Sequence, residues 1–215
     1  MGVKQVIFFV ELKMGRKILE HKDKLSEIRD IKIQNILDVC AGIDQQKITE
    51  EAYNVARIAA NHLLAAFELR YRAIDREVSS QLLFCIGTEL LLHAIIILEK
   101  PQRFIKLCGD KKKPPTFERS KANAQPIIVA NFDKVKKNRM TDVLELIQSK
   151  RNIFAHLSTG IHAYYYQHYE MLNVICYLLS RYFPDLNSSI NTLKMVKEKF
   201  RITHCKDYDY VSFDV

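Results

Sequence analysis

The 215-residue sequence has little glycine and little proline, six and five residues, and no two cysteines spaced Cys-x-x-Cys. Scarcity of chain-breaking residues excludes collagen-like and low-complexity chains. With 48% hydrophobic and 27% charged residues, the composition is that of a folded globular protein. The five cysteines, Cys40, Cys85, Cys108, Cys176 and Cys205, are odd in number and far apart. That spacing fits reduced thiols in a cytoplasmic protein and excludes a disulfide framework or a zinc site. The scattered glycines form neither Gly-x-Gly-x-x-Gly nor a P-loop, so kinase, ATPase and dinucleotide-dependent dehydrogenase chemistry drops out. Long hydrophobic runs are missing too. Six uncharged residues lie between Lys4 and Glu11, short of a signal peptide. The most apolar stretch, Leu90 to Leu98, is nine residues closed by Glu89 and Glu99, where a membrane span needs about 20. The expectation is a soluble, cytoplasmic chain with no membrane contact and no metal or other cofactor.

What is present is helical spacing. From Thr49, read as an N-cap, apolar residues recur at Ala52, Val55, Ala56, Ala59, Leu63, Ala66 and Phe67, a long amphipathic helix to about Ala73. A second begins after Asp75 and becomes apolar on nearly all sides from Leu91 to Leu98, the mark of a central or interface helix. Met140 to Ser149 predicts a shorter helix, Ser158-Thr159-Gly160 a break, Ile161 to Phe183 another helix, and Ser188 to Phe200 the last. Ile28 to Cys40 predicts helix, and Val6 to Leu12 is open between helix and strand. No hairpin signal or run of alternating residues competes with this pattern. The predicted fold is all-α, a bundle of about five to seven helices. Residues 1–45 form an N-terminal extension, 46–200 the bundle and 201–215 a tail.

Charge is unevenly spread. The formal net charge is +8, yet residues 100–139 alone carry twelve basic residues against Asp110, Glu118 and Asp133, a local +9. The same stretch holds Pro101, Pro114, Pro115 and Pro126. It reads as a basic, proline-punctuated connection, either a contact surface for RNA or DNA or a solvated loop kept soluble by lysines. Charge alone supports both equally. In the first case Lys111, Lys112, Lys113, Lys134, Lys136, Lys137 and Arg139 are the RNA-binding candidates.

Of the seven histidines, His21 and His204 sit in polar surroundings, and His62 and His93 are lone residues on predicted helices, where packing is the ordinary role. His162 and His168 lie among tyrosines, a pattern of cores and interfaces. No His-x3-His or His-Glu-x-x-His spacing supports a metal site. His156 differs through its neighbours, Lys150-Arg151-Asn152-Ile153-Phe154-Ala155-His156. Arginine five residues before histidine also occurs at Arg16/His21 and Arg57/His62. Chance gives about 0.4 such pairs in this composition, and about 0.02 once asparagine must follow the arginine. Only Arg151 meets that condition. Arg57 and His62 fall inside an uninterrupted helical pattern, and Arg16 and His21 precede the bundle.

The stretch resembles the signature of the HEPN family, all-α domains whose motif is Arg, four to six residues, then His, often with a polar residue after the Arg. The segment Ile86-Gly87-Thr88-Glu89-Leu90-Leu91-Leu92-His93 is similar to the apolar helix of that family, which often carries an acidic residue facing the motif; Glu89 would take that place. The resemblance covers roughly residues 50–183 and is absent over 1–45. It implies a metal-independent endoribonuclease, with RNA as partner, in a toxin–antitoxin or phage-defence role with a cognate antitoxin. Some family toxins carry a tyrosine two residues after the His, modified by a partner nucleotidyltransferase; Ser158 stands there, which argues against that mode of control.

The residue types suit the chemistry. Cutting RNA without metal needs a base for the 2′-hydroxyl, an acid for the leaving 5′-oxygen and positive charge on the phosphorane. Histidine can serve either proton role near neutrality, and arginine can hold two phosphate oxygens. Arg151, Asn152 and His156 are thus the catalytic candidates, with Glu89 in support. On a continuous helix Asn152 and His156 share a face, whereas Arg151 and His156 differ by about 140°. One histidine supplies one proton role; the family's solution is a homodimer that brings two motifs into one cleft. The Leu90 to Leu98 helix and the tyrosine-rich helix are the candidate dimer faces. The alternative is a non-catalytic helical module for nucleic-acid or nucleotide binding or dimerisation, in which Arg151 caps a helix or pairs with Glu89.

Overall fold

A computed structural model describes residues 33–72, 77–155, 165–204 and Phe213. They form α1 (33–41), α2 (Gln45–Arg72), α3 (Glu77–Glu99), α4 (Pro101–Cys108), α5 (Phe117–Ile128), α6 (Lys134–Ala155), α7 (Tyr165–Tyr182) and α8 (Asn187–His204). There is no strand among the described residues, and the protein is an all-α bundle. The eight helices exceed the expected five to seven because the supposed basic connection is largely helical itself.

Helix α2 starts earlier than Thr49. Asp44 Oδ1 accepts from the backbone N–H groups of Gln46 and Lys47 at 3.1 and 3.2 Å, so Asp44 is the N-cap. Thr49 lies inside the helix, its hydroxyl donating to the Gln45 carbonyl at 2.9 Å. The physical reason is Ile48, which is buried one turn before Ala52 and draws an extra turn onto the core. The small residues of α2 let α3 approach closely. A Cβ added at Gly87 would stand 2.8 Å from Leu63 Cγ and 3.0 Å from the Ala59 carbonyl oxygen. Glycine is therefore required by the α2–α3 contact.

Helix α3 is the axis of the bundle, touching α2, α4, α5, α6 and α7. Leu91, Leu92 and Ala94 to Ile97 are fully buried inside this one chain. By length and composition Ser80–Glu99 would suffice to cross a membrane, longer than the nine residues counted from sequence, but two-thirds of it is buried within the bundle. Leu91 to Ile97 are thus core of this chain, and of the expected dimer face only Leu90 and Leu98 at its ends keep partial exposure. On the tyrosine-rich helix Tyr169 is also buried, packed with Phe200; Tyr164 lies outside the described residues.

Two of the prolines lie within helices, while Pro114 and Pro115 stand in the loop between α4 and α5. Pro101 occupies the first turn of α4, where no backbone donor is needed. Gly109, at φ 64°, ends that helix. Thr116 caps α5, and Pro126 sits in its last turn. Asp133 caps α6, its Oδ1 accepting from the Lys136 N–H at 2.8 Å. That helix absorbs Lys134 to Arg139 and runs past Ser149 to Ala155. Apolar spacing missed the first turns because Lys134 to Lys137 are largely exposed, where burial imposes no period. The domain limits shift likewise: α1 adds Ile33, Leu37 and Cys40 to the core, α8 continues to His204, and Phe213 stacks on Phe132. Residues 1–32, including Val6 to Leu12, lie outside the described residues.

Candidate active site

Two i,i+4 pairs bring α3 and α6 together. Cys85 Sγ lies 3.7 Å from the Ile147 carbonyl oxygen, and one turn along, Glu89 Oε2 meets Arg151 Nε at 3.2 Å. Residues four apart share a helix face, so the facing stripes 85/89 and 147/151 set this contact. The Arg151 side chain is 35% exposed and that of Glu89 16%. The carboxylate is mostly sheltered while the guanidinium reaches solvent. Burial raises the Glu89 carboxyl above its usual value, against the pull of the adjacent Arg151 charge and hydrogen bond. Lys150 is buried beside the pair.

The motif residues divide as follows. Arg151 and Glu89 are in contact. Asn152 is the next residue on the backbone of α6. His156 follows Ala155 directly and lies outside the described residues, as do Ser158 to Gly160 and His162. Of the competing pairs, Arg57 and His62 are within α2, where Arg57 Nη1 donates to Asn54 at 3.1 Å and His62 Nδ1 is 2.9 Å from the Ile58 carbonyl oxygen. Arg16 and His21 lie outside the described residues.

Two neighbours of the site were not singled out from sequence, Cys85 and Lys150. Their only signal was the i,i+4 relation of Cys85 to Glu89 and the adjacency of Lys150 to Arg151. Burial pushes the Cys85 thiol up to about 12, although Arg151 and Lys150 pull it down, so it is no nucleophile at neutral pH. His93, one turn beyond Glu89, is fully buried. Its Nε2 is 2.7 Å from Ser120 Oγ and 3.2 Å from the Pro115 carbonyl oxygen. Because Ser120 donates its own proton to the Thr116 carbonyl at 2.9 Å, Nε2–H of neutral His93 is the donor to both. Burial lowers its pKa to about 4. It is a structural histidine that ties the α4–α5 loop to α3. Among the described residues no three His, Cys, Asp or Glu side chains gather as a metal would require.

The basic candidates do not make one patch. Lys111, Lys112 and Lys113 are exposed on the α4–α5 loop. Lys134, Lys136 and Lys137 open α6, beyond the other end of α5, a helix about 18 Å long by its rise per residue. Arg139 is committed elsewhere: its Nη2 is 2.6 Å from Oε1 of Glu170, which is buried on α7. That ion pair joins α6 to α7 and ties the half-buried Arg139 to a buried carboxylate.

Compared with protein-family models, curated proteins and solved structures, the chain matches none of them.

Proposed function

We propose that this chain is a metal-independent endoribonuclease of HEPN type, acting as a homodimer in which two copies of the Arg151-Asn152-x3-His156 motif share one cleft. The observation that supports the reading is the Glu89–Arg151 contact. An acidic residue of the apolar helix meets the motif arginine near the end of the helix that leads into His156. Glu89 is then a positioning residue: it holds the guanidinium through Nε, and with five N–H donors the arginine keeps capacity for a phosphate. His156 supplies a proton role, with Asn152 orienting substrate. RNA attacks its own phosphodiester through the 2′-hydroxyl, so the products carry 2′,3′-cyclic phosphate and 5′-hydroxyl ends. The test is cleavage of RNA in EDTA by the purified chain, with end analysis. Cyclic ends in EDTA uphold the reading, and loss of all cutting on chelation overturns its mechanism. A toxin or phage-defence role fits this activity, and a small antitoxin frame beside the gene would support it.

The same contact favours one competing reading, a binding or dimerisation module in which Glu89 and Arg151 only brace α3 against α6. That module predicts wild-type and His156→Ala chains that behave alike with RNA.

A further inference from the structure

Two clefts share one arginine. The first, about 290 Å³, lies between α7 and α8 and is lined by Arg181, Lys194 and Lys197 with no carboxylate. The second, about 580 Å³, opens where α3 passes into α4 beside the ends of α5 and α7; its cations are Lys100, Arg103 and again Arg181, opposed by Glu99 alone. Five cations and one acid therefore line two neighbouring clefts that share Arg181. Lys197 is held in place by a 3.2 Å bond from Nζ to Asn173 Oδ1. Ser180 lines the first cleft, and its hydroxyl is buried with no hydrogen-bond partner among the described residues. Tyr177 and Tyr182 each line one cleft, the Tyr177 ring also packing against Phe132 and Phe213.

We infer that these two clefts form a binding track for the phosphates of single-stranded RNA, separate from the Glu89–Arg151 site. A concave surface of one charge sign concentrates polyanions. Cations along a groove with aromatic side chains form the sequence-tolerant way of holding a single strand. One arginine serving two open compartments suits a ligand with repeating phosphates better than one small anion. Glu99 is ten residues beyond Glu89 on α3, about 15 Å by helix rise. A strand whose scissile bond lies at Arg151 would thus reach the track with flanking nucleotides. The choice of RNA rests on the proposed ribonuclease reading; the phosphate track itself does not.

The experiment is fluorescence anisotropy of a labelled oligouridylate with the full His156→Ala chain, titrated at several salt concentrations. Arg181→Glu should weaken binding at least ~10-fold and flatten the dependence of log affinity on log salt by roughly 0.7 for each phosphate left without its cation. The double variant Lys194→Glu/Lys197→Glu should act in the same direction. Lys106→Glu, an exposed cation of α4 outside both clefts, should change affinity by less than about twofold. Helical circular dichroism confirms that each variant is folded. Equal affinities for the Arg181 and Lys106 variants, or no binding by the parent chain, overturn the track. So does displacement by uridine monophosphate as effective as that by the oligomer at equal phosphate concentration. Cleavage with KM unmoved by Arg181→Glu would keep the ribonuclease and discard the track. Arg181-dependent binding by a chain that cuts nothing would do the reverse.

Discussion

Helix α6 sends two arginines to carboxylates on different helices, and the two pairs lie at different depths. Arg139 reaches Glu170 at 2.6 Å, where the carboxylate side chain is 2% exposed. Arg151 reaches Glu89 at 3.2 Å, with the carboxylate 16% exposed. A buried pair is held because removing one partner strands the other charge away from water. A pair at the rim loses much less, since water can replace either partner. The arginines themselves are similarly exposed, 30% for Arg139 and 35% for Arg151, so the difference between the pairs lies in the depth of the carboxylate each one serves. Helix α3 repeats the contrast within one turn: Glu89 stays near water beside a cation, whereas His93 is sealed as a neutral donor.

The largest effect belongs to the deep pair. Arg139→Ala should lower the unfolding free energy by about 3 to 5 kcal/mol, measured by denaturant titration, because Glu170 is left buried without its partner. A loss below about 1 kcal/mol would erase the contrast with Arg151.

His93 comes next, through pH. Its folded pKa is lowered from 6.5 to about 4, so the unfolded chain takes up a proton that the fold refuses. Its contribution is present above pH 6.5 and is lost as pH falls toward 4, about 3 kcal/mol in all. Glu89 works in the opposite direction, because a raised carboxyl pKa stabilises the fold toward acid and loses that contribution as pH rises through it. Unfolding of His93→Gln at pH 7 and in mild acid should show a shallower acid loss than wild type. An unchanged slope would mean that the histidine is not the acid-sensitive group.

At the rim, activity and stability should separate. Arg151→Ala and His156→Ala should each slow RNA cleavage by at least ~10²-fold, the scale for losing a charge-stabilising or proton-transfer group. Arg151→Ala should cost the fold no more than about 1 kcal/mol. Asn152→Ala should fall between wild type and these two, and Arg57→Ala should leave turnover nearly intact. If His62 instead of His156 proved essential, the motif assignment would fall.

The smallest effect concerns the loop lysines. Neutralising Lys111, Lys112 and Lys113 together should weaken RNA binding and lower its salt slope by roughly 0.7 for each phosphate no longer neutralised, with the single-turnover rate at saturating RNA unchanged. A changed rate at saturation would place these lysines nearer the chemistry than the loop suggests.

The helical class was legible from sequence because apolar residues at three- and four-residue spacing report a buried face whatever covers it. The pairing of Arg57 and His62 within one uninterrupted helix was legible for the same reason. The contact between Glu89 and Arg151 was anticipated only through the family resemblance, since nothing in spacing alone links residues 62 positions apart. Periodicity says that Leu90 to Leu98 is buried; only packing decides that α3 is surrounded by other helices of the same chain. Net charge says that residues 100–139 are basic; only the fold places Lys111 to Lys113 and Lys134 to Lys137 beyond opposite ends of α5 and ties Arg139 to a buried carboxylate. Arg181, Lys194 and Lys197 look like ordinary helix-surface cations in the sequence, yet they line one cleft together, and Arg181 also lines a second with Lys100 and Arg103. Local pattern records which side of a helix avoids water. Which charges meet is set by distances across the chain, and those exist only after the helices have packed.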